Sequence, residues 1–254
     1  MNQTVMTTGA PPGAEALEVA WIKVAAPALG VMPAAVARPA GRGPFPVLLL
    51  LHGSHGFAQE YVHLAQALAR AGLLTVAAGW FREGTGNGVR FVTPIACPEL
   101  PPSPDPLSPG VTRTVDALVQ AVRTLPDARP DQVGLFGHSR GGGAALNYIL
   151  QVGGLQAGVL NSARYPSELT ARISDLKTPI LMLHGTADSL ADGGSEFTSI
   201  QMARDFEQTA HAAGKSVEAV YFEGGRHNDI FDSAARYHDQ VQRISTFLQQ
   251  HLGG

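Results

Sequence analysis

Gly137-His138-Ser139-Arg140-Gly141 reads G-x-S-x-G, a spacing that presents a serine on a turn too tight for side chains at either flank. With 29 glycines in 254 residues, a shuffled chain would contain roughly 0.17 such matches, so the motif alone is modest evidence. Its setting strengthens it. The apolar run 132–136 precedes it, and a Gly-Ala-Ala-Leu helix start follows. A strand–turn–helix at this point holds Ser139 in a strained conformation. It also aims backbone N–H groups and the positive end of a helix at a developing oxyanion.

A serine hydroxyl needs a base, and the base needs an acid to fix its tautomer. Four histidines follow the acid region. His211, His238 and His251 fall in predicted helices, whereas His227 follows a predicted strand in Gly224-Gly225-Arg226-His227-Asn228-Asp229. His227 is therefore the expected base. Asp188, in His184-Gly185-Thr186-Ala187-Asp188 just past another strand, is the expected acid. Asp192 on the same loop is the alternative, and Asp175 precedes its strand and faces the wrong end. Two backbone donors must hold the oxyanion. The N–H of Arg140 is one; the second comes from the loop His52-Gly53-Ser54-His55-Gly56, with Ser54 favoured over Gly53 and His55.

Those residues need elements to carry them. Hydrophobic patterning predicts strands at 16–24, 31–38, 46–51, 73–79, 132–137, 155–161, 179–183 and 216–222. Helices are predicted at 61–71, 111–125, 141–152, 197–213 and 234–251. Strands alternating with helices of this length imply βαβ crossovers: an α/β fold with a mostly parallel, about eight-stranded sheet and helices on both faces. Reactive groups in such sheets gather at the carboxyl ends of the strands. The exception is 81–110, a loop with seven prolines and no periodicity, expected to overhang the site. Residues 1–254 are expected to form one domain.

Composition narrows the function classes. Eighteen Lys+Arg against 21 Asp+Glu leave a net charge of −3, with pI near 6.3, so no broad cationic surface offers itself to nucleic acid or an anionic membrane. Mean hydropathy is +0.04. The longest aliphatic run, 47–51, falls far short of the ~20 residues of a membrane span. The first fifteen residues lack a basic cluster followed by an apolar run, so a cytoplasmic location is expected. A single cysteine, Cys97, excludes an internal disulfide and a multi-cysteine zinc site. It lies in the proline-rich loop and is expected to be a structural thiol. The pair His52 and His55 has no carboxylate motif beside it, so no metal or cofactor is expected.

Other residues receive structural or open readings. His52, His138 and His184 are expected to hydrogen-bond around the reacting groups. Asp229 and Asp232 are expected to cap the last helix. Phe57, Trp80 and Phe81 follow strands at the reactive end and either line an acyl pocket or pack in the core. Arg82, Arg90 and Arg140 either meet a substrate carboxylate or face water.

Together, Gly-His-Ser-Arg-Gly-Gly, His-Gly-Ser-His-Gly, His-Gly-Thr-Ala-Asp and Gly-Arg-His-Asn-Asp resemble the signposts of α/β-hydrolase superfamily serine hydrolases, from about residue 47 to 252. Within that superfamily the chain resembles the compact dienelactone-hydrolase-like and cutinase-like esterases. It departs from dienelactone hydrolases proper, whose nucleophile is a cysteine, by carrying Ser139. The resemblance implies a cofactor-independent serine esterase acting on a small-molecule ester through an acyl-enzyme. Peptidase, thioesterase or carbon–carbon bond hydrolysis by the same triad is the alternative, as is a ligand receptor with slow turnover. The sequence sets no oligomeric state.

Overall fold

Strands buried on both faces build the centre of the molecule. In the computed structural model, which describes residues 17–26, 30–82 and 92–253, the runs 47–51 and 180–185 are buried without alternation. That pattern belongs to strands covered by helices on each side. One sheet contains β1 (Val19–Ala26), β2 (Gly30–Ala37), β3 (Phe45–Leu51), β4 (Leu74–Ala78), β5 (Ala128–His138), β6 (Ala157–Asn161), β7 (Ile180–Gly185) and β8 (Val217–Phe222). Their spatial order is β1-β2-β4-β3-β5-β6-β7-β8. β2 pairs antiparallel with β1 and β4, and every later pairing is parallel.

The helices are α1 (Gln59–Arg70), α2 (Pro109–Arg123), α3 (Arg140–Gln151), α4 (Ser167–Thr170), α5 (Ile200–Ala212), α6 (Asp229–Asp232) and α7 (Ala234–Leu252). Right-handed crossovers assign them to faces. α1 joins β3 to β4 in one direction along the sheet, while α2, α3 and α5 make their crossovers in the other, so they cover the opposite face. α7 closes the first face, touching α1 and strands β5 to β7, and α2 packs on α3 across the second. No described helix is long and apolar enough to cross a membrane.

Four parallel strands thus deliver four loops to one rim: 52–58 after β3, Ser139 after β5, 186–199 after β7 and 223–228 after β8.

Several boundaries move for identifiable reasons. α2 starts at Pro109, two residues before its predicted start, because the Ser108 hydroxyl accepts the Val111 N–H and proline suits a first helical turn. The predicted helix 197–213 is divided by two serine caps. Ser195 and Thr198 form a capping box around a 3₁₀ turn at Glu196–Thr198, and Ser199 then accepts the Met202 N–H to open α5. Asp229 and Asp232 do not cap α7, whose N-cap is Ser233. They form the short turn α6, and their carboxylates pair with Arg226, with Arg236 also meeting Asp229. Residue 16 and Arg90 lie outside the described residues.

Candidate active site

Ser139 sits between β5 and α3 with φ 53° and ψ −114°, a left-handed backbone that is rare for a non-glycine residue and stores strain. The flanking glycines make the turn possible. A Cβ on Gly137 would overlap the Gly141 carbonyl, and one on Gly141 would overlap the carbonyls of Leu51 and His52. Neither obstacle is a movable side chain. Gly141→Ala should therefore cost ~4 kcal/mol or more and leave little soluble folded protein, read by soluble yield and thermal unfolding.

The structure brings Ser139, His227 and Asp188 together. His227 Nε2 lies 2.9 Å from Ser139 Oγ, and His227 Nδ1 lies 2.7 Å from Asp188 Oδ2. All three are buried, with Ser139 6% and His227 2% exposed and the Asp188 side chain 1% exposed. The loops can meet because Gly185, at the end of β7, lies against the Gly225 carbonyl, where a Cβ would clash. The Ala187 N–H donates to that same carbonyl at 2.8 Å. Asp188 has further partners that the sequence did not single out in this role. The Thr198 hydroxyl donates to Oδ1 at 3.2 Å, and His184 Nε2, 2.8 Å from the Thr198 carbonyl, lies 3.4 Å from Oδ2. Asp192, the alternative acid, accepts the Ser189 hydroxyl instead.

The loop after β3 leans on the elbow: a Cβ on Gly53 would lie 3.2 Å from the Ser139 Cβ. Gly53 N–H is already committed to the Tyr61 hydroxyl at 2.8 Å, and that hydroxyl lies 2.9 Å from His55 Nε2. Ser54 N–H has no acceptor among the described residues, and neither does Arg140 N–H at the first position of α3. Arg140 also braces this corner with its side chain. Its Nε donates to Ser54 Oγ at 3.2 Å and its Nη1 to the Pro104 carbonyl at 2.6 Å, so the guanidinium joins helix, loop and proline-rich segment. Arg82 is exposed, and its N–H donates to the Pro101 carbonyl at 2.7 Å.

Phe57, Trp80 and Phe81 do not form an open acyl pocket. They are 3%, 1% and 0% exposed and pack around His52, with Phe81 4.4 Å and Trp80 5.6 Å from its ring centre. The Trp80 indole N–H donates to the His52 carbonyl at 3.0 Å, and the Trp80 main-chain N–H meets His52 Nε2 at 3.2 Å. Burial explains the departure, because aromatic rings following two adjacent strands fill the space beneath the β3 loop before any reaches its mouth. His52 is held neutral by the same burial, its pKa lowered to about 3. Burial also lowers His55 to about 4, helped by the neighbouring His227, and it lowers His184.

The described part of the proline-rich segment, 92–108, lies along the same rim. Ile95 N–H donates to the Phe57 carbonyl and Gln59 N–H to the Thr93 carbonyl, both at 2.9 Å. Cys97 is buried beside Gly79, and burial pushes its thiol up to about 11. It is a thiol, not a thiolate, at neutral pH.

With this geometry in view, the profile of the dienelactone hydrolase family matches residues 32–252. The chain belongs to the dienelactone hydrolase family. As a member it is a hydrolase. A protein of Methylorubrum extorquens named as a carboxymethylenebutenolidase is 27% identical over 236 residues, covering 87% of this chain and 78% of the relative. Among solved structures, the dienelactone hydrolase of Anabaena variabilis superimposes with a TM-score of 0.68 at 19% identity, covering 94% of this chain and 100% of that one. The acylaminoacyl peptidase of Pyrococcus horikoshii gives 0.70 at 15% identity, covering 94% of this chain and 42% of that one. These likenesses establish the α/β-hydrolase fold.

Proposed function

We propose that the protein hydrolyses a small to medium carboxylic ester through a covalent acyl-enzyme on Ser139. The observation that carries this reading is the continuous hydrogen-bonded line Asp188 Oδ2, His227 Nδ1, His227 Nε2, Ser139 Oγ, with links of 2.7 and 2.9 Å. His227 accepts the Ser139 proton as Oγ attacks the ester carbonyl, and Asp188 holds the Nδ1–H tautomer and stabilises the imidazolium. The N–H groups of Arg140 and Ser54 receive the tetrahedral oxyanion. His227 then protonates the departing alcohol. In the second half-reaction it deprotonates a water that attacks the acyl carbonyl, and Ser139 leaves with the proton returned. No cofactor enters the scheme. The name of the Methylorubrum relative, a carboxymethylenebutenolidase, supports including a cyclic ester among the substrates to be tried.

The test is hydrolysis of p-nitrophenyl esters from acetate to long acyl chains, alongside a five-membered lactone, with mass spectrometry of enzyme treated with a phosphonate ester. Turnover that peaks at short or medium chains, with the phosphonyl adduct on the peptide containing Ser139, is the expected result. Absent turnover on every ester, or an adduct elsewhere, would overturn the reading.

A further inference from the structure

His138, beside the candidate nucleophile, is fully buried, and its ring centre is 5.2 Å from that of His227. Its Nδ1 lies 2.7 Å from Asn161 Oδ1, and its Nε2 lies 3.1 Å from Asn228 Oδ1. Asn228 in turn donates through Nδ2 to the Asp192 carbonyl at 2.7 Å. At the far end, Asn161 Nδ2 donates to Oε1 of Gln240 in α7 at 2.5 Å. All four side chains are at least nine-tenths buried: Asn161 and Gln240 are each 2% exposed, and Asn228 8%. Each buried polar atom here therefore needs a partner of the right kind.

Only one order of protons satisfies the chain with a neutral imidazole. A main-chain carbonyl accepts and never donates, so Asn228 must turn Nδ2 to Asp192 and Oδ1 to His138. His138 Nε2 must then carry the proton, which makes Nδ1 an acceptor. The Asn161 and Gln240 amides must then both be turned end for end, so that Asn161 presents its nitrogen to Nδ1 and its oxygen to the Gln240 nitrogen; amide nitrogen and oxygen occupy the same shape, so this costs no change of position. An imidazolium is disfavoured because burial, with His227 and His55 nearby, lowers the His138 pKa well below its usual value.

The members of this chain sit at telling places. His138 immediately precedes Ser139, Asn228 immediately follows His227, and Asp192 lies on the loop of Asp188. We infer that His138 and Asn228 are positioning residues, joined in a one-directional hydrogen-bond chain from Gln240 through Asn161 to the Asp192 carbonyl that fixes His227 against Ser139 and Asp188. This rests on the proposed roles of those three residues. Its energetic weight is large because one missing link leaves buried polar atoms unpaired and lets the loop after β8 drift, and a displacement of about 1 Å can cost on the order of 10²-fold in rate.

Two variants and one spectrum test it. His138→Gln keeps a donor and an acceptor and should retain activity within a few-fold, whereas His138→Leu keeps neither and should lower kcat about 10- to 100-fold with KM little changed. His138→Leu should also shift or broaden the downfield proton resonance of the His227 Nδ1–H bond to Asp188, which a loss of stability alone would leave in place. Independently of any activity, nitrogen NMR of histidine-labelled wild-type protein should show His138 as the Nε2–H tautomer with Nδ1 unprotonated. That measurement stands if His138→Leu fails to fold, or if no ester is turned over, so failure here is distinguishable from failure of the esterase reading. An Nδ1–H tautomer or an imidazolium, a His138→Leu enzyme with wild-type kcat, or His138→Gln as impaired as His138→Leu would overturn the inference.

Discussion

Ser139→Ala should lower kcat on the best p-nitrophenyl ester by ~10⁴ or more while the fold survives. Among the described residues, the Ser139 hydroxyl is the side-chain group hydrogen-bonded to His227 Nε2. Neither nearby alternative can replace it. Ser54 Oγ is held by the Arg140 guanidinium, and the buried Cys97 thiol is protonated at neutral pH. Alanine keeps the Cβ, so the left-handed backbone at 139 is no more strained than before, and α3 still starts at Arg140. Loss of one hydrogen bond at a 6%-exposed position should change stability by about 1 kcal/mol. Circular dichroism and thermal unfolding alongside the rates separate a chemical loss from a folding loss. A mutant with full turnover would remove Ser139 from the mechanism. The residual rate is informative too, because water delivered by His227 into an intact oxyanion site still reacts faster than in solution.

How far the sequence reaches depends on how local each determinant is. The strand–helix alternation is written in consecutive residues, and so is the elbow. The short aliphatic run of β3 suits a strand covered on both faces, and Gly137 and Gly141 flank Ser139 for a steric reason visible in the motif itself. Ser139, Asp188 and His227 are picked out by the chain order expected of the fold together with their places after strands. What escaped was set by contacts between distant segments. Phe57, Trp80 and Phe81 look equally suited to a pocket wall or a core until His52 is placed among them. Thr198 reaches the Asp188 carboxylate only because two serine caps divide what periodicity reads as one helix. Asn161 and Asn228 left a faint signal, since one ends a strand and the other follows the base, but nothing local says that they meet through His138.

Two neighbours on one loop compete for the acid's role, and Asp188 is the one hydrogen-bonded to His227. Asp188→Asn should lower kcat by about 10⁴, whereas Asp192→Asn should stay within a few-fold of wild type. An asparagine at 188 can turn either way. With Nδ2 toward His227, it forces Nδ1 to accept, places the ring proton on Nε2 facing Ser139 Oγ, and leaves no base to take the hydroxyl proton. With Oδ1 toward His227, the tautomer is kept but a neutral amide replaces the charge that would stabilise the imidazolium, in a site where the Asp188 side chain is 1% exposed and little solvent screens the loss. Asp192 has no such leverage. Its side chain is 30% exposed and 4.0 Å from Arg226, and its link to the base loop runs through its main-chain carbonyl, which asparagine leaves intact. Steady-state rates of both variants, with thermal unfolding beside them, settle the assignment. A slow Asp192→Asn enzyme together with a near-normal Asp188→Asn enzyme would transfer the acid to Asp192.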